Sequence, residues 1–562
     1  MTKMTGVQIL FQALQEEGVT TIFGYPGGAV LDIYNELPKT DIKHILVRHE
    51  QGAVHAADAY ARASGGVGVC LVTSGPGATN TVTGIASAYM DSVPVVVLTG
   101  QVPRHLIGND AFQEVDIVGI TRPCTKHNYL VTDIKDIARI IKEAFHIARS
   151  GRPGPVLIDL PKDLMTMTAE YKPLKAVSLR SYRPTYNPNL KQLDKVIKLI
   201  KSARKPMILA GGGVLLSKGS DALTAFAKKT NMPVAATLMG LGVFPTKSRL
   251  WLGMIGMHGT YRANMSSGEC DLLIAIGVRF DDRVTGKIDV FAKKATIVHV
   301  DIDPTSIQKN VPVAIPVVGD CRITLELLNE LLDKEDPATI HRQRRAWLDQ
   351  IEEWKNTKPL AYEQKDEIKP QYVIEKLYEL TKGDAIITTE VGQNQMWTAQ
   401  YYNFDRPNCF ITSGGLGVMG FGLPAAIGAQ LARPDKLVVD IAGDGSIQMN
   451  IQEMATAVQY GLPIKVAILN NQYLGMVRQW QEMFYDKRYS HTDMQFAPDF
   501  VKLAEAYGAV GLRAVKPEEV EPVLKEGLFN KKTVIMDFQV EREEKVYPMV
   551  PAGAPITDML LV

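Results

Sequence analysis

Cysteine is scarce in this 562-residue sequence: the five cysteines are dispersed, and no two of them form a CxxC pair. This pattern is typical of a reducing compartment and gives no support for a structural zinc site. Long apolar runs are also missing, since stretches such as residues 93–98 have only strand length, whereas a membrane span needs roughly 20 residues. Residues 1–19 read as an amphipathic helix without the apolar core or cleavage site of a signal peptide. We therefore expect a soluble, cytoplasmic protein.

An excess of charge of one sign is also absent. Lys and Arg total 62, Asp and Glu total 61, and the net charge is +1. Near-neutrality argues against nucleic-acid binding through bulk charge, although it leaves room for a local basic pocket that binds an anionic cofactor. The hydrophobic fraction of 46% is ordinary for a globular chain. The length suggests about three or four domains.

Short β-branched runs that lead through glycine-rich turns into helix-like stretches recur along the chain, for example in residues 44–61, 68–89 and 436–458. Alternating strands and helices predict parallel sheets covered on both faces, so we expect an α/β fold of three doubly wound domains. Two polar or charged stretches, near residues 165–188 and 342–369, divide the chain. The predicted domains are residues 1–180, 190–345 and 365–545, with a tail at 546–562.

The sharpest motif lies in the third segment, where one apolar strand ends in Gly443-Asp444-Gly445 and a second strand ends at Asn471. Asp444 and Asn471 are 27 residues apart, which is about one strand–helix–strand unit, so both should lie at the same edge of a parallel sheet. Carboxylate and amide oxygens suit Mg²⁺, and glycines let the backbone approach a phosphate. Each half alone is a common turn or loop, but together they indicate a site for a metal and a phosphate.

The Gly-Asp-Gly motif followed by Asn-Asn resembles the diphosphate-binding motif of thiamine-diphosphate enzymes. The resemblance implies that Asp444, the Asn471 side chain and the Tyr473 backbone carbonyl hold Mg²⁺ against the cofactor diphosphate. It also implies cofactor contacts from Gly27, Gly28, Gly443, Gly445 and Ser446, and from Met419, whose bulk would bend the cofactor.

Glu50 is a second functional candidate, because it follows the strand-like run HILVRH. A glutamate there can also be a helix N-terminal residue that the helix macrodipole favours. The surrounding segment, RHEQGAVHAADAYAR, is similar to the activating-glutamate segment of thiamine-diphosphate enzymes. We therefore expect the Glu50 carboxyl group to exchange a proton with the cofactor. In that family the site crosses a dimer interface, with Glu50 from one chain and Asp444 from the other.

Four segments of the middle domain resemble the FAD-containing biosynthetic acetolactate synthases: GMIGMHGTYRAN, GVRFDDRVTGK, HVDIDP and VVGDC. The charged RFDDR stretch alone would suggest a surface cluster, but it directly follows an apolar strand. The resemblance implies flavin contacts from Arg152, Gly211, Met257, His258, Gly277, Arg279, Asp301 and Asp320.

The same resemblance also implies which residues contact the substrates. Trp480 matches the tryptophan that favours 2-ketobutyrate as second substrate, although an isolated tryptophan is more often a packing residue. Phe112 and Gln113 match a channel region. Arg283 is the candidate to pair with the carboxylate of the acceptor. Catalytic roles are expected for Glu50, Gln113 and Lys162, the last of which matches a further active-site position.

The family implies an enzyme that decarboxylates pyruvate and joins the hydroxyethyl unit to a second pyruvate or to 2-ketobutyrate, using thiamine diphosphate, Mg²⁺ and FAD. It also implies a homodimer or a dimer of dimers and a small regulatory subunit. One alternative is a flavin oxidoreductase of the pyruvate oxidase type. Another is a catalytically silent thiamine-binding scaffold or sensor, against which Glu50 and the intact metal motif argue.

Overall fold

Three six-stranded sheets form the framework of the chain, which a computed structural model describes over residues 3–174, 176–496 and 498–561. Neighbouring strands within each of these sheets are parallel. The predicted α/β fold with three parallel sheets is confirmed. Within the described residues, no helix has the length and apolar character that crossing a membrane requires.

The first domain supplies one of the three sheets. Its elements are β1 (Lys3–Thr5), α1 (Gly6–Glu16), β2 (Thr21–Gly24), α2 (Leu31–Glu36), β3 (Lys43–Leu46), α3 (Glu50–Ser64), β4 (Gly68–Val72), α4 (Pro76–Thr79), α5 (Val82–Asp91), β5 (Val95–Gln101), α6 (Ile117–Thr121), β6 (His127–Leu130), α7 (Ile137–Arg149), β7 (Val156–Pro161), α8 (Lys162–Thr166) and β8 (Thr168–Glu170). The sheet order is β3-β2-β4-β5-β7-β6, and β1 pairs with β8. Alternate residues of β5 enter different cores, Val97 on one face and Val96 on the other. Burial of both faces explains why this strand is apolar throughout its first half.

The middle domain supplies the second sheet. Its elements are α9 (Leu190–Ser202), β9 (Pro206–Ala210), α10 (Gly212–Leu216), α11 (Ser220–Thr230), β10 (Val234–Ala236), β11 (Trp251–Met254), α12 (Tyr261–Glu269), β12 (Leu272–Ile276), α13 (Asp282–Thr285), β13 (Thr296–Asp301), β14 (Ile315–Val318), α14 (Cys321–Leu332), α15 (Pro337–Gln343) and α16 (Arg345–Thr357). The sheet order is β11-β10-β9-β12-β13-β14. Helix α16 occupies part of the charged stretch that suggested a break, and its Trp347 and Ile351 are buried with residues of β9 and β12.

The third domain supplies the third sheet. Its elements are α17 (Pro370–Thr381), β15 (Ala385–Thr389), α18 (Gln393–Tyr401), β16 (Phe410–Ile411), α19 (Gly422–Ala432), β17 (Leu437–Gly443), α20 (Glu453–Gln459), β18 (Lys465–Asn470), α21 (Gly475–Phe484), α22 (Phe500–Ala506), β19 (Val510–Ala514), α23 (Pro517–Phe529) and β20 (Val534–Gln539). The sheet order is β16-β15-β17-β18-β20-β19. The tail then returns to the middle domain, where the Val550 amide donates to the Met257 carbonyl at 2.8 Å.

Helices α3 and α19 join the first domain to the third. A Cβ atom on Gly428 would lie only 1.9 Å from a backbone carbonyl oxygen of α3, so a side chain at this position would block the approach of the two helices. Glu453 accepts hydrogen bonds from the backbone amides of Arg48 at 2.9 Å and His49 at 3.0 Å. These contacts fix the turn that leads into Glu50, so the third domain of the same chain sets the position of that residue.

Candidate functional site

The carboxyl ends of β17 and β18 carry a pair of polar side chains. Asp444 directly follows β17, Asn471 directly follows β18, and the two strands pair in parallel. Asn471 is held on both sides, because its Nδ2 donates to Gln393 Oε1 at 3.0 Å and its Oδ1 accepts from the Tyr473 amide at 3.1 Å. Adjacent parallel strands open toward one edge of a sheet, which is where α/β folds bind ligands.

Asp444 has the electrostatics of a metal ligand. The residue is 1% exposed, and neither carboxylate oxygen has a hydrogen-bond partner in the described part of the chain. Burial raises the pKa of Asp444 to about 7, and nearby backbone amides, including that of Asn471, offset part of this rise. A buried carboxylate without a partner is costly, and a divalent cation would satisfy it. One carboxylate with an amide oxygen and a backbone carbonyl is a donor set that fits Mg²⁺.

Two glycines at this edge of the sheet lie where an added side chain would overlap a neighbouring residue. A Cβ atom on Gly445 would lie 2.6 Å from Leu474 Cδ2, and one on Gly475 would lie 1.9 Å from Gln393 Oε1. Because Gly443 and Gly445 line the cavity without side chains, the backbone of this turn can approach a diphosphate closely.

Two groups of residues that the sequence-based prediction missed also shape this edge. Gln393 Nε2 donates to Gln479 Oε1 at 3.0 Å, and Asn394 Nδ2 donates to the Ile441 carbonyl of β17 at 2.8 Å. Glu390, which is fully buried, accepts from the backbone amide of Gly420 at 2.6 Å. The sequence did contain a signal, because Glu390 directly follows β15, just as Asp444 follows β17, and Gln393 and Asn394 begin the next helix.

A cavity of about 780 Å³ extends from this edge to the middle domain. It is lined by many of the predicted site residues: Arg152, Met257, His258, Gly277, Arg279, Arg283, Asp301, Asp320, Met419, Gly443, Asp444, Gly445, Ser446, Asn471, Tyr473 and Trp480. Gly211 lies next in sequence to the lining residue Gly212. The structure thus brings the candidate residues of the middle and third domains into one cavity.

The middle-domain wall of this cavity is a glycine cleft flanked by arginines. A Cβ atom on Gly211 would lie 2.2 Å from the Gly277 carbonyl oxygen, so the ends of β9 and β12 approach closely. Arg152 reaches in from the first domain, where its Nε donates to Ser92 Oγ at 2.8 Å and its Nη1 pairs with Asp303 at 3.3 Å. The arginines, the closely packed glycine backbone and the size of the cavity are together suited to an anionic dinucleotide such as FAD.

Arg283 and Trp480 lie together on the cavity wall. The Arg283 guanidinium lies 5.7 Å from the centre of the Trp480 ring. The side chain of Arg283 is 59% exposed, and its ion pair with Asp282 measures 3.2 Å. A guanidinium that stacks on an aromatic ring keeps its N–H groups free for a carboxylate.

The remaining candidates lie at the carboxyl edge of the first sheet. Lys162 Nζ donates to the Gly28 carbonyl at 3.0 Å, and Gly27 precedes that residue. A Cβ atom on Gly75 would lie 2.8 Å from the Gln113 carbonyl oxygen, so the loop of Gln113 rests on the turn after β4.

Glu50 belongs to this second edge. Its Oε2 accepts from Asn80 Nδ2 at 2.9 Å. Phe112, which precedes Gln113 in the sequence, is 89% exposed. Neither residue lines the cavity around Asp444, so within the described residues of one chain the candidates form two separate half-sites.

Comparisons with known proteins identify the family to which the chain is similar. Models of thiamine pyrophosphate enzymes match the chain as an N-terminal TPP binding domain at residues 4–120, a central domain at 193–328 and a C-terminal TPP binding domain at 390–538. The chain is 51% identical to acetolactate synthase isozyme 3 large subunit of Escherichia coli, over 100% of this chain and 99% of the relative. It is 50% identical to the acetolactate synthase large subunit of Haemophilus influenzae over the same shares. It is also 47% identical to chloroplastic acetolactate synthase 1 of Nicotiana tabacum, over 99% of this chain and 84% of the relative.

Proposed function

The chain belongs to the acetolactate synthase large-subunit family of thiamine pyrophosphate enzymes, and on that premise we propose that it joins two 2-keto acids. It decarboxylates pyruvate and transfers the remaining two-carbon unit to a second pyruvate, giving 2-acetolactate, or to 2-ketobutyrate, giving 2-aceto-2-hydroxybutyrate. This reaction is the first common step of valine, leucine and isoleucine biosynthesis. The observation that carries the proposal is the buried carboxylate of Asp444, which has no hydrogen-bond partner among the described residues and lies in the same cavity as Arg283 and Trp480.

Thiamine diphosphate, when bound, supplies a carbanion that adds to the carbonyl group of a 2-keto acid and takes up the electron pair that departing CO₂ leaves. Asp444, the Asn471 side chain and the Tyr473 carbonyl would hold Mg²⁺ against its diphosphate. Met419 lines the same cavity, where its side chain would pack against the bound cofactor.

Glu50 holds and returns a proton at its carboxyl group, and two chains are needed to bring it to Asp444. Its edge of the first sheet lies apart from the cavity, which supports a homodimer in which Glu50 of one chain faces Asp444 of the other. Gln113 and Lys162 would then complete the active site from the same side as Glu50.

Mixed dimers test this arrangement. A dimer of one Glu50→Gln chain and one Asp444→Asn chain would hold one fully intact site and one doubly defective site. Mixing and reassembling the two inactive variants should therefore restore up to about one quarter of wild-type activity, since half of the dimers are mixed and each has one intact site of two. Absence of any restored activity, with reassembly verified by tagged chains, would contradict the shared site.

FAD is the third proposed cofactor and does no net redox chemistry in this reaction. FAD would bind between the first and middle domains, in contact with Arg152, Arg279 and the glycine cleft at Gly211 and Gly277.

We also propose that the chain binds a small regulatory subunit, in line with the "large subunit" names of the relatives. The cytoplasmic location expected from the sequence is likewise a proposal.

The acceptor is held by Arg283 through its carboxylate and selected by Trp480. Replacing Trp480 with leucine removes ring surface that a longer acceptor would contact, so we expect the preference for 2-ketobutyrate over pyruvate to fall by about 10-fold. The ratio of the two products in mixed-substrate reactions measures this effect. Phe484→Leu is the matched control, because that ring packs edge-on against Trp480 but does not line the cavity. An unchanged ratio in Trp480→Leu would remove Trp480 from this role.

Product analysis tests the function as a whole. The enzyme is incubated with pyruvate and 2-ketobutyrate, with and without added FAD, and both acetohydroxy acids are expected without hydrogen peroxide. The pyruvate oxidase alternative is not favoured, because the relatives matched over the full chain carry the acetolactate synthase name. Flavin reduction with peroxide release during pyruvate turnover would reverse this conclusion, and absence of any turnover would favour the scaffold alternative.

A further inference from the structure

The geometry points to Asn80 as a positioning residue that aims the Glu50 carboxyl group at the cofactor, an inference that rests on the function proposed above. Asn80 Nδ2 donates to Glu50 Oε2 at 2.9 Å. The two residues are 30 positions apart in the chain, and they meet because the turns after β3 and β4 leave the sheet at the same edge.

The place of Asn80 is itself fixed by backbone contacts. Helix α4 ends at Thr79, and the Asn80 amide donates to the Pro76 carbonyl at 3.0 Å. The Asn80 side chain therefore starts from a closed turn at the C-terminal end of α4, the short helix that follows β4. The side-chain amide of Asn80 is therefore a hydrogen-bond donor with a fixed position, and it orients the longer side chain of Glu50.

The hydrogen bond distinguishes the two oxygens of Glu50. Oε2 is occupied by Asn80, whereas Oε1 accepts no hydrogen bond from the described residues and lies over Gly77, where an added Cβ atom would be 3.3 Å away. The last torsion of a glutamate side chain is broad and roughly two-fold. Without Asn80 the carboxyl group can turn freely, so Asn80 keeps Oε1 available for proton exchange with the cofactor.

The test measures proton exchange rather than overall turnover. The wild type, Asn80→Ala and Asn80→Asp are loaded with thiamine diphosphate and Mg²⁺ without substrate, and exchange of the cofactor C2 proton for deuterium is followed by quenched-flow NMR. Loss of a hydrogen bond to a charged group predicts exchange about 10- to 100-fold slower in Asn80→Ala. Asn80→Asp has nearly the same size but places a second carboxylate against Glu50, so it should be slowed at least as much even if the alanine variant folds poorly.

Cofactor affinity separates positioning from a structural role. Both variants should bind thiamine diphosphate within about 3-fold of the wild type, because the diphosphate is held by the third domain. Asn35→Asp, on the exposed surface of α2, is the matched control and should exchange at the normal rate. If the C2 proton exchanges at the normal rate in Asn80→Asp but slowly in Glu50→Gln, the positioning role of Asn80 is overturned and the proposed function stands. Normal exchange in Glu50→Gln would instead overturn the proposed function.

Discussion

Glu50→Gln is expected to bind thiamine diphosphate and Mg²⁺ as tightly as the wild type and to lose about 99% or more of its turnover. General acid–base groups contribute roughly 10²- to 10⁴-fold to a rate, and glutamine has the same shape as glutamate but cannot exchange a proton. The Asn80 side chain that donates to Glu50 Oε2 can still contact the glutamine, so the edge of the sheet should keep its structure. Turnover of pyruvate and calorimetric binding of the cofactor measure the two effects.

Glu170→Gln is the matched control, because this carboxylate lies exposed on β8 of the same domain. It should retain full turnover. If Glu50→Gln turned over at close to the wild-type rate, the carboxyl group would not be the proton carrier. If Glu50→Gln instead failed to bind the cofactor, the role of Glu50 would be cofactor binding and not proton exchange.

The strand-end pattern explains what could be predicted from the sequence. Asp444 and Asn471 each follow an apolar run at strand–helix–strand spacing, and the parallel pairing of β17 and β18 places both at one edge. The same rule applies to Glu390, which directly follows β15 and was missed because it belongs to no familiar motif. Helix α16 could also have been found, since Trp347 and Ile351 are one helical turn apart and both are buried.

Other features needed three-dimensional contacts. The hydrogen bond from Asn80 to Glu50 joins two turns of different strands, and nothing in the local sequence of either residue indicates the other. The division into half-sites also depends on packing. The buried contact of α3 with α19 holds Glu50 to the third domain of its own chain, yet Glu50 does not line the cavity into which Asp444 opens. Family resemblance supplied the roles of Glu50 and Asp444, whereas the structure supplies their neighbours.

Asp444→Asn should have opposite effects on the cofactor-free and the cofactor-bound protein. Without metal, Asp444 is a buried carboxylate whose oxygens have no partner in the described part of the chain. Neutral asparagine avoids the cost of burying that charge, so the cofactor-free variant should melt at a higher temperature than the wild type. With Mg²⁺ and thiamine diphosphate present, the wild type gains stability from binding. The variant should gain little, because loss of a charged ligand weakens metal binding by on the order of 100-fold or more.

Thermal melts with and without the cofactor measure both effects in one experiment. Asp435→Asn is the matched control, since Asp435 is exposed and pairs with Arg433 at the surface, where an ion pair contributes roughly 0–1 kcal/mol. That variant should follow the wild type in both melts and keep its turnover. An Asp444→Asn protein that is less stable than the wild type without cofactor, and equally stabilised by adding it, would show that Asp444 is a structural residue. If Asp444→Asn instead melts at a higher temperature than the wild type without cofactor and gains little stability when cofactor is added, the carboxylate lowers the stability of the empty protein in order to bind the metal.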